Sequence, residues 1–198
     1  MHLKPYSYYI IYKPFQVLSQ FSKEGDKKTL ADFFNVEKDV YPVGRLDFDS
    51  EGLLILTNDK QLNHRLLNPI FKHKKEYWVQ IDGAVTSDAI KQLEEGVSIN
   101  VDGKQYQTKP ATVSILSNPV VCERTPPIRF RKDIPTSWIS ITITEGKNRQ
   151  VRKMTAAVGF PTLRLIRNKI ENISLDAMQP DEMIEISKAS IYKKLFDD

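Results

Sequence analysis

The sequence predicts an α+β fold, a mixed and largely antiparallel sheet with a few helices flanking a cleft. Three observations lead there. Short β-branched or aromatic runs outnumber helical patterns, many consecutive runs are joined by short turns, and two of the three helical patterns end on glycine, one of them with proline beyond. Strict alternation of strands with long helices, the mark of a doubly wound sheet, is missing.

In chain order, residues 8–12 (YYIIY) read as the first strand. Residues 52–57 (GLLILT) follow as a second, apolar enough to be buried. Residues 59–67 then carry a helical pattern, with Asn58 or Asp59 as its cap. Residues 77–82 (YWVQID) form a strand, and residues 87–95 a helix stopped by Gly96. Residues 111–116 (ATVSIL) are a further strand. Asn118 to Pro135, with Pro119, Pro126, Pro127 and Pro135, is a long loop, and long loops in compact domains are usually functional. In residues 137–144, Ile139, Ile141 and Ile143 alternate with Ser140, Thr142 and Thr144, which predicts one buried and one half-exposed face. A helix over 149–158, ending at Gly159 with Pro161 beyond, and a strand over 163–167 complete the pattern.

Composition narrows the class of protein. A chain of 198 residues with 40% hydrophobic content can bury a core. No window holds the roughly 18 apolar residues of a membrane span, and MHLKPYSYY lacks the apolar core of a secretory signal, so a cytoplasmic protein is expected. The lone Cys122 rules out an internal disulfide, and His2, His64 and His73, scattered and without cysteine partners, predict no metal site. The net charge of +4 is unevenly spread: residues 124–169 hold 11 Lys or Arg against Asp133 and Glu145, a net of +9. The remaining 18 basic and 23 acidic residues give −5. Focused positive charge suits a phosphate backbone, and a solvated basic face is the alternative. No spare hydrophobic face shows in the apolar periodicity, which predicts a monomer.

Three segments carry candidate chemistry. In Gly44-Arg45-Leu46-Asp47-Phe48-Asp49-Ser50-Glu51-Gly52, two glycines bracket a cluster of charges just before an apolar strand, which sets a carboxylate at the rim of a sheet. An acidic structural turn, or a metal site of Asp47, Asp49 and Glu51 as in a nuclease, fits the same residues. In Lys74-Lys75-Glu76-Tyr77-Trp78, aromatics beside lysines suit a nucleobase next to phosphate; Trp78 is expected in the core, which leaves Tyr77 as the functional candidate. In Glu145-Gly146-Lys147-Asn148-Arg149-Gln150-Val151-Arg152-Lys153-Met154, Asn148 is the expected N-cap. Val151, Met154 and Val158 form an apolar stripe, with Arg149, Arg152 and Lys153 opposite. Basic residues in a first helical turn run against the helix dipole, which points to a bound anion.

These blocks resemble the pseudouridine synthases of the RsuA type. The likeness runs over nearly the whole chain: YYIIYKPFQVLSQF, GRLDFDSEGLLILTND, KKEYWVQIDG, PPIRFRKDIPTSW and EGKNRQVRKMTAAVGFPTLRLIR. It implies the pseudouridine synthase fold, and uridine isomerisation with no cofactor and no metal. It implies Asp47 as catalytic aspartate, with attack on ribose C1′, addition to the ring and abstraction of a ribose proton all open to it. It further implies Tyr77 as the active-site tyrosine of a K-x-Y motif with Lys75, Arg152 as the charge partner of the aspartate, and Arg45 as the arginine beside it. Together with the charge focus, the candidate RNA contacts are Arg45, Lys75, Arg124, Arg129, Arg131, Lys132, Lys147, Arg149, Lys153, Arg164 and Arg167. Many relatives carry an S4 RNA-binding domain ahead of the catalytic one. Here the catalytic opening starts within ten residues, so a single catalytic domain over 1–198, two lobes around a cleft without an S4 domain, is expected. The implied substrate is large-subunit (23S) ribosomal RNA; small-subunit ribosomal RNA, transfer RNA, and a non-catalytic role in RNA binding or ribosome assembly stay open.

Overall fold

The computed structural model describes residues 5–128 and 135–196. The chain divides into two compact units, Met1–His73 with Asn168–Asp198, and Lys74–Arg167. Along the chain run β1 (Tyr8–Lys13), β2 (Val17–Leu18), β3 (Lys28–Thr29), β4 (Tyr41–Pro42), β5 (Glu51–Thr57) and α1 (Lys60–Leu67). There follow β6 (Lys75–Asp82), α2 (Ser87–Glu95), β7 (Ser98–Val101), β8 (Lys104–Gln107), β9 (Thr112–Leu116), β10 (Thr136–Ile143) and α3 (Gln150–Ala157). Last come β11 (Thr162–Ile170), β12 (Ile173–Ser174), β13 (Met183–Glu185) and α4 (Lys188–Phe196). The result is the predicted α+β architecture.

In the first unit β1 lies between β13 and β5, antiparallel to both, with Ile10 opposite Ile184 and Ile55. Every residue of β5 is buried, as its unbroken apolar run requires of a strand covered on both faces. Leu54 and Leu56 share a face and pack with Ile11, Val17, Leu30, Phe34 and Val40. Each such side chain contributes about 1.5–3 kcal/mol by leaving water. Lys13 is fully buried at the end of β1, and its ammonium donates to the carbonyls of Pro14 (2.9 Å) and Val17 (2.7 Å). The charge thereby shapes the loop that follows β1.

In the second unit β10 pairs antiparallel with β6 and β9. Ile139, Ile141 and Ile143 are buried as their spacing predicts, but Ser140 on the other face is buried too, so that face is more covered than alternation alone implied. The helix α2 starts at Thr86, whose hydroxyl accepts from the Ala89 amide, and stops at Gly96. Gly96 has φ +93, and a Cβ there would collide with the Thr108 carbonyl oxygen, so only glycine fits this stop.

Candidate active site

Asp47 sits in the first unit, half-buried, as the first residue of a turn closed by the Ser50 amide donating to the Asp47 carbonyl (3.0 Å). Gly44 enters this segment at φ +74, with Leu67 Cδ2 only 3.0 Å from where a Cβ would stand. Three hydrogen bonds to residues 16 and 19 hold the turn from the other side. The Ser19 hydroxyl donates to the Leu46 carbonyl (2.8 Å) and accepts from the Leu46 amide (3.0 Å), while the Gln16 amide donates to the Phe48 carbonyl (2.9 Å). The peptide groups around Asp47 are thus fixed by Gln16, in the loop that Lys13 shapes, and by Ser19, just past β2. Sequence reading missed Ser19; its only signal was a serine in a buried stretch. Arg45 is exposed, Glu51 is buried in β5, and the trio Asp47, Asp49 and Glu51 is not arranged as a cation site, nor is any other group of three His, Cys, Asp or Glu among the described residues.

In the second unit Tyr77, Val79 and Ile81 share the buried face of β6, and Tyr77 is 9% exposed. Trp78, expected in the core, instead lies half-buried on the opposite face, where its indole N–H donates to Glu76 (3.0 Å). The strand period decided this, because the neighbours with no polar atom, Val79 and Ile81, claim the core face and Tyr77 travels with them. Lys75 is half-buried at the start of the same strand.

The basic turn before α3 is organised by one buried carboxylate. Glu145 accepts from the Tyr106 hydroxyl (2.6 Å), the Lys109 amide (3.0 Å) and the Gln150 side-chain amide, whose own oxygen accepts from the Lys147 amide (2.9 Å). The hydrogen bond to Glu145, and then burial, push the Tyr106 hydroxyl above its usual pKa. Lys147 lies over the Tyr106 ring at 4.8 Å. The N-cap of α3 is Arg149 and not the expected Asn148: Arg149 takes a left-handed conformation (φ +54) and makes no side-chain cap bond. Gln150 closes the turn in place of a cap. Val151 and Met154 are buried as their spacing predicts; Arg152 and Lys153 are half-buried, and Lys147 and Arg149 are exposed.

Of the other basic candidates, Arg124 is half-buried and donates to the Pro126 carbonyl (2.9 Å). Arg164 and Arg167 are each only 5% exposed, which takes them off the open basic face, and Arg164 donates to the Cys122 carbonyl (2.8 Å). Arg129, Arg131 and Lys132 lie outside the described residues. Among the described residues no helix is long and apolar enough to cross a membrane.

The family model for RNA pseudouridylate synthase matches residues 7–157, a span that includes Asp47, Tyr77 and Arg152. The chain belongs to the RNA pseudouridylate synthase family. It is accordingly an RNA-modifying isomerase, as two curated pseudouridine synthases bear out. The ribosomal large subunit pseudouridine synthase E of Vibrio parahaemolyticus is 50% identical over 177 residues, 89% of this chain and 72% of the relative. The synthase of the same name from Xanthomonas axonopodis pv. citri is 51% identical, covering 86% of this chain and 89% of the relative. A crystal structure of a pseudouridylate synthase superposes over 98% of this chain and 76% of its own, with 26% identity and a TM-score of 0.78. The pseudouridine synthase fold therefore extends across both units of the chain.

Proposed function

We propose that this protein converts one uridine of large-subunit ribosomal RNA into pseudouridine, as a cofactor-free monomer in the bacterial cytoplasm. The observation that supports the target is the roughly half-identical match, over 86% or more of the chain, to enzymes named for the large ribosomal subunit. Asp47 is the catalytic carboxylate, Tyr77 contacts the flipped uracil, and Arg152 supplies the opposite charge. Support for Asp47 comes from a backbone clamped on both sides of a half-buried carboxylate, the preorganisation that a reacting group needs.

The reaction breaks the bond between uracil N1 and ribose C1′, turns the base and joins C5 to C1′. The proton lost from C5 is matched by one gained at N1, so no electron acceptor or added group is required. The uridine must first leave its helix, which costs a few kcal/mol of unstacking. Lys147 and Arg149, exposed on a turn whose shape Glu145 sets, with Arg45 and Lys153, provide the phosphate contacts. Arg164 and Arg167 serve from buried positions, Arg164 by holding the loop at Cys122.

Mapping pseudouridines in total RNA by chemical labelling and primer extension, with and without the gene, tests the proposal. Loss of one large-subunit site is expected. Loss of a site in small-subunit or transfer RNA would refute the target, and an unchanged map would refute catalysis.

A further inference from the structure

The connection between α1 and β6 is built unlike an ordinary surface loop. Ile70 is 74% exposed, Phe71 50% and Leu67 45%, three large apolar side chains within five residues. Nothing about the backbone is loose. Asn68 ends α1 by donating its amide to His64 (3.1 Å), and its side-chain oxygen accepts from the Ile70 amide (3.1 Å). The Phe71 and Lys72 amides donate to Asn68 and Pro69 (3.2 Å each), closing a single 3₁₀ turn that ends with Lys72 in a left-handed conformation. Behind the tip, the Phe71 ring lies 6.0 Å from the His73 ring, which lies 5.4 Å from Phe196. Phe196 in turn carries the Arg65 guanidinium at 3.9 Å, and His73 is fixed by Glu171 at 3.0 Å. A rigid mount holds the exposed apolar tip.

Charge identifies what the tip meets. Residues 60–75 contain Lys60, Arg65, Lys72, Lys74 and Lys75 and no acidic residue, a second basic focus hidden when the charge outside 124–169 is summed to −5. Apolar side chains set among cations are the means by which proteins wedge between bases while holding phosphates. A protein partner would account for the exposed apolar area but not for the five basic residues, with no acidic one among them, in the segment that carries it.

We infer that Ile70 and Phe71 form a wedge that stacks against unpaired or opened bases of the substrate RNA, with Lys72 on a neighbouring phosphate. This rests on the reading that the chain acts on RNA, and not on which uridine it modifies. Because the tip is already ordered in the free protein, little freedom is lost on contact.

The test uses the full chain and an unmodified large-subunit ribosomal RNA transcript carrying a terminal fluorophore, with affinity read by anisotropy across a salt series. The double variant Ile70→Ser, Phe71→Ser should bind about tenfold more weakly, the loss expected for one stacked base, with an unchanged salt slope. Phe71→Trp should keep wild-type affinity. Lys72→Glu should lower affinity and reduce the salt slope by about one. Equal melting temperatures for all four proteins separate these losses from misfolding, which exposed positions favour. Unchanged affinity in the double variant overturns the inference, as does a loss of self-association in sedimentation without a loss of RNA binding. Scoring the same transcript for pseudouridine keeps the two readings apart, because a wild type that binds but converts nothing refutes the proposed catalysis and leaves the binding comparison intact.

Discussion

Replacing Ser19 with alanine tests whether the clamp around Asp47 serves catalysis. The buried hydroxyl satisfies both the amide and the carbonyl of Leu46, itself buried next to Asp47. Its removal leaves two buried polar groups, each costing about 1–3 kcal/mol when unpaired, so Ser19→Ala should destabilise by about 2–6 kcal/mol. For a chain of this size that is a fall in melting temperature of about 4–24 °C. With the turn released, Asp47 loses its fixed position, and misplacement by about an ångström lowers turnover by about 10- to 100-fold. The assay is pseudouridine formation on ribosomal RNA, well below the variant's melting temperature, with kcat and KM determined separately. The expected result is a reduced kcat, a KM within about twofold of wild type, and recovery of kcat in Ser19→Thr, which keeps the hydroxyl. A variant that melts early yet turns over at the wild-type rate would refute the positioning role and leave Ser19 a structural residue.

Other sites yield further expectations. Asp59 caps α1 through the Gln61 and Leu62 amides and accepts from the Tyr8 and Tyr192 hydroxyls (2.8 Å each), joining α1, β1 and α4 of the first unit. Asp59→Ala should therefore destabilise by about 3–5 kcal/mol in urea titration, since it strands hydroxyls and helix amides together. Burial raises the Asp59 pKa, but the hydrogen bonds from Tyr192, Tyr8, Leu62 and Gln61 outweigh it and hold the carboxyl below its usual value. Its stabilisation is complete above about pH 3.9, the ordinary carboxylate value, and is lost as pH falls through the lowered folded value. Burial, and then the bond to Asp59, hold Tyr8 and Tyr192 well above the ordinary tyrosine range. Stability should thus also decline as pH rises past about 10, the unfolded tyrosine value, and Tyr192→Phe should flatten that decline in alkaline melts. Gly96→Ala forces a Cβ against Thr108 at positive φ and should cost about 2 kcal/mol or more by the same titration. Tyr77→Phe keeps the buried ring; a role for the hydroxyl in proton transfer predicts a kcat loss of about 100-fold, and wild-type turnover would confine Tyr77 to packing.

The six strands and three helices expected from patterning are all present, because each carried a local signal: the apolar run of β5, the alternating isoleucines of β10, the Thr86 and Asp59 caps, and the Gly96 stop. The hairpin of β7 and β8, absent from the expected elements, carries one as well, the Asp102-Gly103 pair at positive φ. The helix α4 was harder to see, since its short pattern of Ile191 and Leu195 gains its hold from Tyr192 reaching Asp59 across 133 residues of sequence. The same limit explains the site. Gly44, Asp47 and the basic turn at 147–149 are legible as motifs, whereas Ser19 at Leu46 and Glu145 beneath Gln150 act through contacts with distant or backbone partners that no local pattern records. Trp78 lies half-buried and not in the core because the strand period sorts the side chains of β6 as a set, with Tyr77, Val79 and Ile81 on one face.

The most direct measurement incubates unmodified large-subunit ribosomal RNA with purified wild type and with Asp47→Asn, mapping pseudouridine and measuring RNA affinity in the same preparations. One new pseudouridine with wild type, none with Asp47→Asn, and equal affinities are the predicted results. Pseudouridine formed by Asp47→Asn at the wild-type site would contradict the assignment of Asp47 as the catalytic carboxylate.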